Sequence, residues 1–140
     1  MEVPASGDSI VLARHLAEKG VYLVDVSSGG IVPDAQIPVN VDYQVDLAER
    51  IRKEAGVMTA AVGRITDPVQ ADSILTNGRA DLVLIGREFM RDPYWPIHAA
   101  TVLGEDVERL LPPQYREAWT GMPATSMEGP IELLQSVLAQ

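Results

Sequence analysis

Residues 57–64, VMTAAVGR, and residues 81–87, DLVLIGR, are two short apolar runs that each close on a Gly-Arg pair. A third run, Val21–Val26 (VYLVDV), is followed by Ser27-Ser28-Gly29-Gly30. All three have the length of a strand, and the segments between them carry apolar residues at helical spacing. Strands alternating with helices are the layout of consecutive βα units in a parallel sheet. Nearly continuous apolar content suits strands covered on both faces. The expected fold is therefore α/β, with parallel strands at Val21–Val26, Val57–Val62 and Asp81–Ile85. In such sheets ligands sit beyond the carboxyl ends of the strands, which is where these glycines stand. In a (β/α)₈ barrel the loops after the last strands hold phosphate.

The helices follow from the same pattern. Ser9–Lys19 places Ile10, Ala13, Leu16 and Ala17 on one face, with Asp8 or Ser9 as N-cap and Gly20 as a stop. Tyr43–Ala55 buries Val45, Leu47, Ala48 and Ile51 and ends at Gly56. Thr66-Asp67-Pro68 opens a third helix that runs to about Leu75 and stops at Asn77-Gly78. Arg91-Asp92-Pro93 opens a fourth, through Val102. A last amphipathic helix is expected at Pro130–Ala139, with Ile131, Leu134, Val137 and Leu138 on one face. The long Gly/Pro/Ser-rich segment from Ser27 to Asp42 reads as a functional or mobile loop.

Composition narrows the function classes. The chain has 140 residues, 46% of them hydrophobic, enough for one domain with a real core. A net charge of −9 argues against non-specific nucleic-acid binding, which needs a basic surface. No apolar run approaches the roughly 18 residues that span a membrane, and the first residues do not form an export signal. The absence of cysteine removes disulfides, thiolate nucleophiles and Cys metal sites. A cytoplasmic protein is the expectation.

Few residues carry recognisable chemistry. Gly63 and Gly86 at strand ends allow a phosphate to approach the backbone, and Arg64 and Arg87 add charged donors one residue further on. Tight turns with solvated arginines are the competing explanation, and two equivalent Gly-Arg pairs favour phosphate. Ser27 and Ser28 carry hydroxyls and N–H groups toward the same mouth, although a flexible turn is the commoner meaning of such a string. His15 and His98 lack spaced metal-ligand partners and read as structural. Asp25, inside the first strand, reads as a strand-end hydrogen-bonding group. No catalytic triad, carboxylate pair or Walker-type phosphate loop is present.

The strings VDVSSGG, YQVDLAERIRKEAG, TAAVGRIT, DPVQADSIL, NGRADLVLIGREFMRDPYWPIHAA and PPQYREAW, in that order, resemble the C-terminal part of the Old Yellow Enzyme family. The branch they are most similar to is the bacterial NADPH dehydrogenase and xenobiotic-reductase type. The resemblance covers Ser9–Trp119. It implies a TIM (β/α)₈ barrel of which this chain holds the last three βα units, an incomplete barrel over residues 1–119. Residues 120–140 are then a C-terminal extension. It further implies FMN as cofactor, NADPH or NADH as reductant and activated alkenes as acceptors. Gly86 and Arg87 would bind the FMN phosphate, Gly63 and Arg64 would complete that pocket, and Ser27 and Ser28 would lie near the flavin. The family's catalytic residues belong to earlier segments, so no catalytic residue is expected here.

Two departures from the family pattern stand out. Asn40-Val41-Asp42 precedes Tyr43 where the family often has Gly-Pro-Gly. Glu117, not Arg116, occupies the place of an arginine that reaches a neighbouring subunit. The expectation is an FMN-binding oxidoreductase part that is inactive alone and is joined by a complementing chain or a second copy. Its alternatives are a non-catalytic phosphate- or nucleotide-binding α/β module and a structural or interaction remnant.

Overall fold

A computed structural model describes residues 6–29, 34, 37 and 40–119. The chain forms two compact units, residues 1–93 and 94–140.

In the first unit three strands form one parallel sheet in the order β1 (Leu23–Val26), β2 (Met58–Val62), β3 (Leu82–Leu84). Each strand is shorter than its apolar run, because Val21, Tyr22, Val57, Asp81 and Ile85 lie outside the strands. The register sets Asp25 beside Ala60 and Ala60 beside Leu82, while Val26 lies beside Ala61 and Ala61 beside Val83. Neighbours in parallel register point to the same side of the sheet. One side therefore carries Val26, Thr59 and Ala61, all buried, and α2 (Val45–Ala55) packs on β1 and β2 there. The other side carries Asp25, which is exposed, with Met58 and Leu82 at 48% and 51% exposure. The expectation of strands covered on both faces thus holds only for the middle of β2. In β1 and β3 the described residues cover one face, and Asp25 lies in solvent on the other.

Helix α1 (Ser6–Glu18) buries Ile10 and Ala13 and packs against α2. It begins before the expected cap: Asp8 and Ser9 are inside it, and Asp8 sits in the first turn, where negative charge is favourable. The Arg14 guanidinium donates to the Glu54 carbonyl at 2.6 and 3.1 Å, tying α1 to the end of α2. His15 stays exposed beside Glu18.

Helix α2 starts at Val45 rather than Tyr43, because a turn precedes it. Asp42 adopts φ 59°, and its carbonyl accepts the Val45 N–H at 2.9 Å. Val45, Ala48 and Ile51 form its buried stripe, with Leu47 half-buried, and Gly56 closes it in the left-handed conformation. Helix α3 (Pro68–Thr76) has a reciprocal cap: the Asp67 carboxylate accepts the Gln70 N–H, while the Gln70 side chain accepts from the Asp67 N–H. After β3 a five-residue helix, α4 (Arg87–Arg91), occupies a stretch whose periodicity is too short to announce it.

A charged clamp holds the amino ends of the strands. The Asp81 carboxylate accepts from Arg52 Nε at 3.0 Å and from the Thr59 N–H at 2.9 Å, and a second Arg52 nitrogen donates to the Gly78 carbonyl. Arg52 holds the Asp81 carboxyl below its usual range. Thr59 is fully buried, and its hydroxyl has no partner among the described residues. Beside this clamp Arg79 donates to Glu49 at 2.9 Å and to Asp46 and lies 3.8 Å from Asp42. The Arg79 bond, assisted by Lys53, likewise lowers the Glu49 carboxyl.

The second unit begins with α5 (Trp95–Leu103), which opens at Trp95 with Pro96 in its first turn, not at Asp92-Pro93 as expected. Gly104 ends it in the left-handed conformation. Two single-turn 3₁₀ segments, Val107–Arg109 and Pro113–Tyr115, lead to α6 (Arg116–Trp119). The Trp119 ring centroid lies 6.4 Å from that of Tyr94 and 6.2 Å from that of His98, so His98 belongs to an aromatic cluster. The expected helix at Pro130–Ala139 lies outside the described residues.

Candidate functional site

A cleft of about 420 Å³ opens at the carboxyl ends of β2 and β3. Its floor is the last residue of each strand, Val62 and Leu84. Gly63 with Arg64 follows one strand and Gly86 with Arg87 follows the other, so the two Gly-Arg pairs face a common space. Tyr43 and Gln44 from the turn before α2 wall one side, and Glu88 and Arg91 of α4 line another.

The two glycines are used differently. Gly63 adopts φ +122°, and a Cβ there would stand 2.8 Å from Tyr43 Cε1 and 3.2 Å from Gln44 Nε2. Only glycine lets the chain turn against those side chains. At Gly86 a Cβ would meet nothing within 4 Å, so the space in front of that backbone is vacant in the fold itself. A ligand oxygen can approach the Gly86 peptide closely only while no side chain stands there.

The turn after β2 is built by an amide that periodicity does not mark. Arg64 is left-handed at φ 53°. Its carbonyl accepts from Gln70 Nε2 at 3.1 Å, and the same nitrogen donates to Asp42 Oδ1 at 2.7 Å. Gln70 Oε1 accepts from the Thr66 N–H at 3.1 Å. One side chain thus joins Asp42 and Arg64, the two non-glycine residues with positive φ among the described residues, and fixes the loop that carries Arg64. The signal for it was the D-x-x-Q spacing of a helix cap. Asp42, found where the family often has glycine, tolerates the left-handed backbone better than most residues and adds the carboxylate that Gln70 binds.

The cleft is electropositive. Arg64, Arg87 and Arg91 line it against the single carboxylate Glu88, which pairs with Arg91 at 2.6 Å. Arg87 is exposed and makes no hydrogen bond or ion pair among the described residues. Ser27 and Ser28 do not line the cleft. Ser27 is exposed, and the Ser28 N–H donates to Oε1 of Gln44, which does line it. Gln44 is 3% exposed and carried no signal of its own in the sequence. Among the described residues no cluster of three metal-ligating side chains occurs.

Strand-end glycines and three arginines therefore line one cleft at the carboxyl edge of the sheet. Residues 5–105 match the model of the NADH:flavin oxidoreductase / NADH oxidase family. The chain belongs to that family, the Old Yellow Enzyme family. It is similar to proteins called NADPH dehydrogenase from Geobacillus thermodenitrificans (53% identical over 112 residues), Bacillus pumilus (53% over 112) and Listeria innocua (48% over 112). In each case the match covers 80% of this chain and 32% of the relative. The chain therefore spans about a third of the length of the curated relatives it matches. The family is one of flavin-dependent, nicotinamide-linked oxidoreductases, and its fold is a TIM barrel. The three-stranded parallel sheet is consistent with part of such a barrel. No described helix is long and apolar enough to cross a membrane.

Proposed function

We propose that this chain is the phosphate-anchoring part of an FMN-dependent NAD(P)H oxidoreductase of ene-reductase type, and that it supplies the last three βα units of a (β/α)₈ barrel. One observation carries the proposal: the two Gly-Arg pairs share a cleft at the carboxyl ends of adjacent parallel strands. The open space before Gly86 and the Arg87 guanidinium, which has no partner among the described residues, suit a phosphate monoester.

In this reading the backbone N–H groups after Gly63 and Gly86 donate to phosphate oxygens. Arg87 and Arg64 neutralise the dianion with charge-assisted hydrogen bonds. Gln70 keeps Arg64 in its left-handed turn, so its backbone N–H is presented without reorganisation on binding. Ser27 and Ser28, in the loop after β1, lie toward the ring end of the cofactor. When bound, FMN supplies hydride transfer between a nicotinamide nucleotide and an activated alkene. The name shared by the relatives favours NADPH as the reductant.

Orientation and tuning of the flavin ring depend on segments the relatives have beyond this match. In this reading the chain alone is inactive, and its open sheet edges pair with a complementing chain that carries the other units of the barrel or with a second copy. Support comes from the sheet face on which Met58 and Leu82 are about half exposed, and from the outer edges of β1 and β3, which pair with no other described strand.

The test is purification with and without added FMN, followed by flavin absorbance, light scattering and NADPH oxidation with an enone acceptor. The expected result is saturable FMN binding without turnover, in a species larger than a monomer. A monomer that holds FMN and reduces the enone would refute the incomplete-barrel part. Failure to bind FMN in every assembly state would refute the anchoring role.

A further inference from the structure

Gln44 is the most buried polar side chain on the cleft wall, at 3% exposure. Its carboxamide orientation is determined by chemistry. The Ser28 backbone N–H can only donate, so the atom that meets it is the carbonyl oxygen Oε1. The amide nitrogen is thereby turned the other way, toward Gly63, where it lies 3.2 Å from the position a Cβ would occupy. That nitrogen donates to no acceptor among the described residues. Because Gln44 lines the cleft and its Nε2 is not among the buried unpartnered atoms, that N–H₂ group is open to an acceptor that enters the cleft.

From this geometry we infer that Gln44 contacts the ligand directly: its Nε2 donates to an oxygen of the phosphate monoester held between Gly63 and Gly86. The inference rests on the phosphate-anchoring role proposed above and adds a neutral donor to the arginines and backbone. It also explains how the β1 loop is joined to the site although Ser27 and Ser28 do not line the cleft. The Ser28 N–H orients the amide, and the amide meets the phosphate. Ser28 is thus a positioning residue acting through its backbone, which its hydroxyl does not reveal.

The test compares FMN with riboflavin, which carries the same ring without the phosphate, on the full-length chain and on Gln44→Glu. Glutamate keeps the shape of the side chain and still accepts from the Ser28 N–H, but it replaces the donor with a negative charge. Flavin fluorescence titration is expected to show FMN binding weakened by about tenfold or more, the scale of one hydrogen bond to a charged group. Riboflavin binding stays unchanged, while the melting temperature falls, because a carboxylate replaces a neutral amide at a 3% exposed position. Equal FMN affinity in the two proteins would overturn the inference, as would an equal loss for FMN and riboflavin, which marks a merely structural residue. If Gln44→Glu does not fold, the wild-type chain decides. The side-chain amide resonance of Gln44 should shift on adding FMN and not riboflavin, and no shift with FMN would overturn the assignment. A wild-type chain that binds FMN no better than riboflavin would refute the anchoring role itself, and this inference with it.

Discussion

Replacing Gly63 by alanine separates the two demands that the cleft places on its glycines. The backbone there has φ +122°, outside the range L residues adopt at low cost, and the new methyl would stand 2.8 Å from Cε1 and 3.1 Å from Cδ1 of Tyr43. The backbone contributes about 1–3 kcal/mol of strain. Pushing the half-buried ring aside contributes about 1–3 kcal/mol more. The sum, about 2–6 kcal/mol, is a large share of the 5–15 kcal/mol that typically holds a domain of this size. At about 4–8 °C per kcal/mol for a small domain, the melting temperature falls by about 10 °C or more. Gly86→Ala is the matched control, because its Cβ meets nothing within 4 Å and its φ is −101°. That variant should melt within about 3 °C of wild type, since changes that touch nothing stay within about 0.5 kcal/mol. Its FMN affinity should still fall, because the methyl occupies the space a phosphate needs. Differential scanning fluorimetry with parallel FMN titration reads both effects. Equal melting of Gly63→Ala and wild type, or equal destabilisation by the two substitutions, would refute this division of roles.

Three further outcomes follow from the same contacts. Arg87→Ala removes a guanidinium with no protein partner among the described residues, so stability is unchanged while FMN binding weakens by about 1.5–3 kcal/mol by titration. Gln70→Ala unties Arg64 from Asp42 and breaks the α3 cap, costing about 1–2 kcal/mol in denaturant unfolding together with a loss of FMN affinity. Asp81 and Glu49 have carboxyl pKa values lowered chiefly by Arg52 and Arg79 respectively, so they stabilise the fold fully above their unfolded values near pH 4. That stabilisation is lost as the pH falls through the lowered folded values. Asp81→Asn should flatten this acid limb of the unfolding midpoint against pH. Asp81→Ala, which also strips the acceptor from the Thr59 N–H, should cost about 1–3 kcal/mol at neutral pH.

The alternation of apolar runs with helical periodicity made the three parallel strands legible, and the glycine-arginine endings marked both sides of the cleft in advance. Asp67-Pro68 announced α3, and Gly56 the end of α2, because caps are local chemistry. What stayed hidden depends on distant parts of the chain. Gln44 and Gln70 are neutral amides whose importance comes from groups distant in sequence, the Ser28 N–H 16 residues from Gln44 and the Asp42 carboxylate 28 residues from Gln70. Coverage of β1 and β3 was misread because strand composition reports the environment a strand is made for. The exposure of Asp25 and Leu82 shows that the described residues supply only one side of it. The five-residue α4 is too short for periodicity, and it displaced the start of α5 to Trp95. The Asp42 turn likewise took Tyr43 and Gln44 out of the α2 pattern and placed them on the cleft wall.

Amide spectra of the isotope-labelled chain titrated with FMN test the phosphate anchor most directly, because they report which backbone N–H groups meet the ligand. The expected result is saturable shifts concentrated at Gly63, Arg64, Gly86 and Arg87, reproduced in part by inorganic phosphate and absent with riboflavin. Shifts centred elsewhere in the chain, or an identical pattern with riboflavin, would contradict it.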